Sequence, residues 1–175
     1  MDQPTSKAQK GRISPDSAIY TGLFLLQGFF TVRFGSLADL PSISLVGKVV
    51  ALLGLFALGG YARAEFLKHA GPRGEGTWPL PKELVDTGPY AVVRHPMSLG
   101  LMISAVGLMM IGQHWTTYTV GAGIILYLYL AARQEETLNR EKFGAAYTDY
   151  MERVPRINPV LGFVRLATNR THSVP

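Results

Sequence analysis

An uncharged run from His95 to Ala132 constrains the fold of this chain more than any other feature. The run contains no Asp, Glu, Lys or Arg, and it is too long for one crossing of a bilayer, which takes about 20 apolar residues. It fits two helices joined by a turn at Ile111–Tyr118, where Gln, His and Trp side chains suit a membrane interface. Neither half carries the polar stripe that a helix of a soluble protein exposes. The run therefore predicts a membrane hairpin rather than a buried hairpin in a soluble core.

Two further apolar segments precede this hairpin. We predict the first as a helix over Ala18–Val32, with Ser14 as its N-cap and Pro15 at the first helical position. A signal peptide is the competing interpretation, but no convincing small-residue cleavage site follows the segment. The second segment begins after Pro41, and its small residues form one helix face that could admit a neighbouring helix or serve a homodimer. These small residues are Gly47, Ala51, Gly54 and Ala57.

The composition supports a membrane protein and excludes several other classes. Charged residues make up 17% of the chain and hydrophobic residues 47%, whereas soluble domains carry about 25% charged residues. The absence of cysteine excludes disulfide frameworks, Cys-based zinc sites and a thiol nucleophile, and we predict no metal site. The formal net charge of +5 is scattered between apolar runs, without a nucleic-acid-binding motif. Membrane lipids are therefore the expected partners, and nucleic acid is not.

The basic residues fall almost entirely on one side of the four predicted spans. Arg33 and Lys48 are the exceptions. Basic loops mark the cytoplasmic side, so both termini and the Gly/Pro-rich loop Lys68–Pro96 are expected in the cytoplasm. The prediction is an all-α polytopic membrane protein with about four transmembrane helices, a cytoplasmic loop and a C-terminal amphipathic helix. We expect it in a bacterial or archaeal cell membrane.

A polar stretch after Arg133 predicts that the last helix of the hairpin continues as an amphipathic helix and ends near Pro155. We treat 1–175 as one membrane domain. Its parts are a mobile tail (1–13), an N-terminal helical pair (14–67), a core (68–156) and a C-terminal tail (157–175). The apolar positions of the amphipathic helix are Leu138, Phe143, Tyr147 and Tyr150, and its tyrosines are expected to pack rather than to act in catalysis.

The hairpin brings two polar segments together on the predicted cytoplasmic side. Because a short turn joins the two helices, they must run antiparallel. The start of the first helix, with Arg94 and His95, should then lie beside the end of the second, with Arg133, Glu135 and Glu136. This arrangement predicts a pocket built from cations, carboxylates and an imidazole, with the loop folded above it.

Each of these residues also has a simpler explanation. Arg94 and Arg133 could be the positive-inside anchors of their helices. His95 could be an N-cap residue before the proline that follows it, and Glu135 and Glu136 could form a solvated helix face. The convergence of these groups at one place favours the functional interpretation.

At these residues the sequence resembles the isoprenylcysteine carboxyl methyltransferase-like integral membrane methyltransferases, which are related to the phospholipid N-methyltransferases. That family's pattern runs from Leu-Val through Gly-x-Tyr and Arg-His-Pro-x-Tyr-x-Gly to a helical hairpin, a Glu-Glu pair, Phe-Gly-x-x-Tyr and Val-Pro. The resemblance covers about Gly74–Arg156, with its parts in order and at matching separations. The matching residues are Leu84, Val85, Gly88, Pro89, Tyr90, Arg94, His95, Pro96, Gly100, Glu135, Glu136, Phe143, Gly144, Tyr147, Val154, Pro155 and Arg156.

The resemblance implies S-adenosylmethionine as cofactor and methyl transfer to a lipophilic small-molecule or lipid acceptor that enters from the bilayer. It implies that Glu135 holds the cofactor's ammonium group and that Glu136 supports it, a pairing that charge-assisted hydrogen bonding favours. The candidate catalytic residues are Glu136, His95 and Arg133. The candidate cofactor-binding residues are Lys82, Glu83, Leu84, Val85, Tyr90, Arg94, His95, Pro96, Met97, Ser98 and Glu135.

Two positions depart from the family pattern. Ser98 replaces the tyrosine of the Arg-His-Pro motif, which removes an aromatic or hydroxyl contact. Ala131 stands where prenylcysteine enzymes carry a substrate-facing arginine, so a prenylcysteine carboxylate is disfavoured as acceptor. An amine or thiol acceptor must lose a proton, for which Glu136 or His95 could serve. A non-catalytic membrane scaffold with the same fold and a soluble helical enzyme are the alternatives.

Overall fold

The structure of this protein, a computed structural model, describes residues 15–35, 40–69 and 83–172. Regular structure in these ranges is entirely helical, as predicted. The α-helices are α1 (Pro15–Gly35), α2 (Pro41–Leu52), α3 (Tyr61–Lys68), α4 (Pro96–Gly112), α5 (Trp115–Phe143), α6 (Ala145–Arg153) and α7 (Pro159–His172). A π-helical segment (Leu53–Gly60) joins α2 to α3, and a 3₁₀ turn (Gly88–Ala91) precedes α4. The tail predicted over 1–13, Ser14 and loop residues 70–82 lie outside the described ranges.

Prolines mark the starts of four helices, α1, α2, α4 and α7. Each of these prolines occupies the first position of its helix, where the missing N–H has no intrahelical partner to lose. Helix α1 begins at the predicted Pro15 and extends past the predicted end at Val32 to Gly35, whereas α2 includes Pro41 rather than beginning after it. His95 is the N-cap residue of α4, which is the simpler explanation considered for it. The hairpin turns at Gln113, whose φ is +41°, within the predicted stretch Ile111–Tyr118.

Helix α2 and the π-helical segment pack against α4 through glycines. At Gly107 an added Cβ would lie 2.6 Å from the carbonyl oxygen of Gly47, and at Gly100 it would lie 2.6 Å from that of Gly54. Such distances leave no space for a side chain, so the two helices touch backbone to backbone. The small-residue face predicted for this segment thus admits a neighbouring helix, and that neighbour is α4 of the same chain.

Helix α1 is fixed to the hairpin by polar side chains in an apolar setting. The fully buried Gln27 donates from Nε2 to the carbonyl oxygen of Ala105 at 3.0 Å. Thr31 contacts the carbonyl oxygen of Leu108 at 3.4 Å. Gly121 of α5 leaves the space that the Gln27 amide occupies, since an added Cβ would lie 2.7 Å from Nε2. Interhelical hydrogen bonds of this kind set the register of helices in a membrane.

Two helical stretches, Pro41–Lys68 and Trp115–Phe143, are long and apolar enough to cross a bilayer. Only 11% and 28% of their most apolar windows are buried within the protein, so most of these side chains face outward, where lipid rather than water suits them. Helix α4 is apolar but shorter. These helices support membrane association, while the number of four transmembrane helices stays a prediction.

The region after α5 differs from the predicted continuous amphipathic helix. Gly144 adopts a φ of +58°, a value that glycine tolerates far better than other residues, and it separates α5 from α6. Tyr147 and Tyr150 of α6 are buried, in agreement with their predicted packing role. The predicted C-terminal tail contains α7, in which Gly162 lies so close to the backbone of Val92 that no side chain would fit. That contact joins residues far apart in sequence, so no local pattern announced it.

Candidate functional site

A buried carboxylate, Glu136, forms the centre of a polar cluster at the end of α5 remote from the hairpin turn. Its side chain is 3% exposed. Arg94 donates from Nη2 and Nε to Oε1 at 2.7 and 3.0 Å. Arg156 donates from Nη2 to Oε2 at 2.6 Å and from Nε to Oε1 at 2.9 Å. Two forked guanidinium groups thus satisfy one carboxylate, and we call Arg94, His95, Glu136 and Arg156 the Glu136 cluster.

Arg94 also binds the C-terminal end of α6. Its Nη1 donates to the carbonyl oxygens of Met151 and Val154, both at 2.7 Å, and its backbone N–H donates to that of Pro155 at 2.9 Å. The last carbonyls of a helix have no intrahelical partner, and a cation there is favoured by the helix dipole. One side chain therefore joins the loop before α4 to both α5 and α6.

His95 lies between the two adjacent glutamates. Its Nδ1 is 3.4 Å from Oε2 of Glu135, and its Nε2 is 3.4 Å from Oε1 of Glu136, although Nε2 makes no hydrogen bond. Burial alone would lower the pKa of His95, but the carboxylates of Glu135 and Glu136 outweigh it and raise that pKa above its ordinary value. The arrangement therefore favours the imidazolium form.

Glu135 is the open member of the pair. Neighbouring residues of an α-helix point about 100° apart, so Glu136 faces the protein interior while the Glu135 side chain is 61% exposed. It remains within 3.4 Å of His95. An accessible carboxylate therefore stands beside an imidazole and the N-terminus of α4.

The segment before α4, residues 84–91, packs on α3 and α6 through apolar side chains and comes within electrostatic reach of Glu135 at Tyr90; we call it the covering segment. Val85 and Tyr90 are buried together with Ala62 of α3, whereas Leu84 packs against α6. The hydroxyl of Tyr150 donates to the carbonyl oxygen of Tyr90 at 2.7 Å. Burial raises the pKa of the Tyr90 phenol, which keeps it protonated. The segment is thus held from both sides, by α3 and by α6.

An apolar groove of about 360 Å³ runs along α4 and α5 next to the cluster. Its polar end is marked by Tyr129, whose hydroxyl accepts a hydrogen bond of 3.0 Å from Nη1 of Arg156. The groove therefore connects the Glu136 cluster to the apolar part of the hairpin. Its lining includes Met102, Met109, Ile125, Leu126, Tyr129 and Ile157.

Most of the predicted site residues meet at this end of the hairpin. Those within the cluster or beside it are Leu84, Val85, Tyr90, Arg94, His95, Pro96, Met97, Glu135 and Glu136. Glu83 and Arg133 are exposed, and no hydrogen bond or ion pair among the described residues joins Arg133 to Glu136. Ser98 is partly buried in the first turn of α4, and Lys82 lies outside the described residues.

Sequence reasoning did not assign two charged residues to the site. Arg156 binds Glu136 with two hydrogen bonds; its position after the Val-Pro pair was the available signal. Glu65 of α3 is buried next to the covering segment, and no motif marked it. Both contacts depend on how distant helices pack.

Comparison with known proteins identifies the family to which the central part of the chain is similar. Residues 46–146 match the family described as phospholipid methyltransferase. Over 87 residues the chain is 34% identical to methanethiol S-methyltransferase 2 of Bradyrhizobium diazoefficiens. That alignment covers 46% of this chain and 30% of the Bradyrhizobium protein. Over 115 residues the chain is 30% identical to protein-S-isoprenylcysteine O-methyltransferase of Schizosaccharomyces pombe. That alignment covers 62% of this chain and 48% of the Schizosaccharomyces protein. The matched region thus spans less than half the length of either relative.

The family match extends from α2 to the start of α6. It includes the Arg94–His95 pair, the hairpin and the Glu135–Glu136 pair, which are the parts that build the site. Because the match takes in more than half of the chain, this protein belongs to the phospholipid methyltransferase family.

Proposed function

We propose that this protein transfers a methyl group from S-adenosylmethionine to a lipophilic small molecule or lipid at the cytoplasmic face of a membrane. The observation that carries the proposal is the accessible Glu135 carboxylate beside the buried His95, at the N-terminus of α4. Family membership supports methyl transfer as the reaction. The positive-inside pattern supports the cytoplasmic side for the site and for both termini.

The residues present fit the methionine part of the donor. Its ammonium group needs a carboxylate, which Glu135 offers. Its carboxylate needs a cation or N–H donors, and His95 and the first-turn amides of Met97 and Ser98 supply them. When bound, S-adenosylmethionine supplies an electrophilic methyl group. The partly exposed apolar side chains of Leu84 and Met97 suit the nucleoside.

The groove beside the Glu136 cluster supports a lipophilic acceptor. Its lining is apolar, and it begins at Tyr129 next to Arg156. The names of the similar proteins include methanethiol and isoprenylcysteine enzymes, so the acceptor differs among relatives. The groove favours an acceptor with an apolar body, which would leave water for a low-dielectric site.

The contacts within the cluster favour binding roles over proton abstraction. Glu136 already accepts four hydrogen bonds from two arginines, so we assign it to holding Arg94 and His95 in place. The raised pKa of His95 favours its cationic form, which suits it to bind a carboxylate rather than to act as a base.

Titration of the purified full chain in detergent with S-adenosylhomocysteine tests the proposal. We expect saturable binding that Glu135→Ala weakens at least tenfold, since the ammonium loses its partner. Glu141→Ala removes another exposed glutamate of α5 and is the matched control. A folded protein that does not bind would overturn the proposal.

Methyl transfer itself is tested with radiolabelled S-adenosylmethionine and a membrane lipid extract. Label recovered in a lipid identifies the acceptor class by mass spectrometry. Binding without any transfer to lipids or to small thiols and amines would instead support the non-catalytic scaffold suggested by the Ser98 and Ala131 departures.

A further inference from the structure

Glu65 is a buried carboxylate in the last turn of α3 that the proposed mechanism does not use. Its residue surface is 8% exposed. Oε1 accepts a hydrogen bond of 2.9 Å from the hydroxyl of Thr87, and Oε2 accepts one of 2.6 Å from Lys68. His69 lies nearby, with Nε2 3.9 Å from Oε1. Thr87 belongs to the covering segment and lies 22 residues further along the chain than Glu65.

The covering segment passes directly over Glu65. Gly88 has a φ of +57°, and an added Cβ there would lie 3.1 Å from Cγ and 3.2 Å from Cδ of Glu65. On the same face of α3, Ala62 is fully buried against Val85 and Tyr90. Positions three apart on a helix lie on one face, so this face is the surface on which the segment rests.

The position of Glu65 is unfavourable for a carboxylate on local grounds. The C-terminal turn of a helix carries a partial negative charge, which disfavours an anion, and burial disfavours it further. The hydrogen bonds from Thr87 and Lys68 compensate for both effects. A residue that departs from local preference and is compensated by a distant partner is expected where function requires it.

We propose that Glu65 is a positioning residue for the cofactor site. Its carboxylate holds Thr87 and Gly88, and thereby fixes the covering segment, including Tyr90, next to the exposed Glu135. The inference rests on the proposed function, and it extends the site to the N-terminal helical pair. Helix α3, which ends that pair, then forms one side of the site.

Substitutions at Glu65 and Thr87 in the full-length protein test this role. Glu65→Ala should weaken S-adenosylhomocysteine binding about tenfold, as expected for a lost hydrogen bond to a charged group. Glu65→Gln keeps an oxygen acceptor for Thr87 and should stay within about threefold of the wild type. Thr87→Val should match Glu65→Ala, and the double variant should lose little more, because both remove one interaction.

Lys68→Met is the control for the ion pair, since it removes the partner of Oε2 and leaves the hydrogen bond from Thr87 to Oε1 in place, and it should weaken binding less than Thr87→Val does. Hydrogen exchange of residues 84–92 provides a second measurement. We expect faster exchange there in Glu65→Ala and Thr87→Val, with α5 unchanged. Thr87→Val carries the test if Glu65→Ala does not fold.

The inference is overturned if Glu65→Ala and Thr87→Val bind as tightly as the wild type, or if Glu65→Gln is as impaired as Glu65→Ala. Absence of binding by the folded wild type would overturn the proposed function instead. Hydrogen exchange then decides alone: faster exchange of residues 84–92 in both variants supports the positioning role, and unchanged exchange overturns it.

Discussion

The two ends of the α4–α5 hairpin are held together in different ways. At the turn, Thr117 donates to the carbonyl oxygen of His114 at 2.7 Å, and the His114 ring accepts from the N–H of Thr116. All of these partners lie within three residues. At the other end, Arg94 and Glu136 are 42 residues apart, and Arg94 and Val154 are 60 apart. The hydrogen bonds that shape the turn are local, although Gln113 also donates to the carbonyl oxygen of Leu40 and His114 stacks on Phe34. The hydrogen bonds to Glu136 all join residues at least 20 positions apart.

Neutralising Glu136 should lower the free energy of unfolding more than any other change proposed at either end of the hairpin. Glu136→Gln leaves the guanidinium groups of Arg94 and Arg156 without their shared anion, and breaking a buried ion pair costs about 3–5 kcal/mol. We expect a loss of this size in the free energy of unfolding in detergent. Glu135→Gln, one residue away and exposed, should cost less than about 1 kcal/mol while weakening cofactor binding. Equal destabilisation by both variants would contradict the distinction between the two glutamates.

The two arginines should differ from each other. The Arg94 side chain is 7% exposed and also serves two carbonyls of α6, whereas that of Arg156 is 26% exposed. Arg94→Ala should therefore cost about 2–3 kcal/mol of unfolding free energy, and Arg156→Ala about 1 kcal/mol. Thermal unfolding of both variants under the same conditions measures the difference, and the reverse order would show that Arg156 organises the cluster.

The stability contributed by His95 should depend on pH. Because its pKa is raised in the folded state, its contribution is fully present below the unfolded pKa of about 6.5. It is lost as pH rises through the raised folded-state pKa. The difference in unfolding free energy between the wild type and His95→Asn should shrink by about 1.4 kcal/mol for each unit by which the pKa is raised. If the difference in unfolding free energy between the two proteins stays constant over about three pH units, from about pH 6 to about pH 9, His95 is not cationic in the folded state.

A change at the turn should cost some stability and leave the cofactor site unaffected. His114 caps α5 and stacks on Phe34, with ring centroids 4.1 Å apart. His114→Ala should cost about 1 kcal/mol, the usual cost of a lost N-cap, and should leave S-adenosylhomocysteine affinity unchanged. A large loss of affinity would mean that the two ends of the hairpin are coupled more tightly than their separate hydrogen bonds indicate.

This contrast also explains what the sequence could predict. Proline marked the starts of α1, α2 and α4, the polar stretch marked the hairpin turn, and antiparallel geometry brought Arg94 and His95 to Glu135 and Glu136. These features depend on neighbours in sequence or on one short connection. The same reasoning supported a polar pocket before any reaction was considered.

The remaining features depend on packing between distant segments. Arg156 reaches Glu136 only because α6 turns the chain back, and that turn begins at the positive φ of Gly144. The hydrogen bond from Thr87 to Glu65 depends on how α3 packs against the segment before α4. Neither contact has a local pattern in the sequence. Sequence reasoning therefore identified the residues at the centre of the site and missed Arg156 and Glu65.

The glycine contacts between the π-helical segment and α4 have a mechanical consequence. Gly54 and Gly100 bring the two helices together without intervening side chains, so the pair has little freedom to slide or splay. Helices adapt to bilayer thickness by tilting, and this pair would tilt as one body. The distance between Glu65 of α3 and His95 at the start of α4 would then stay constant in membranes of different thickness.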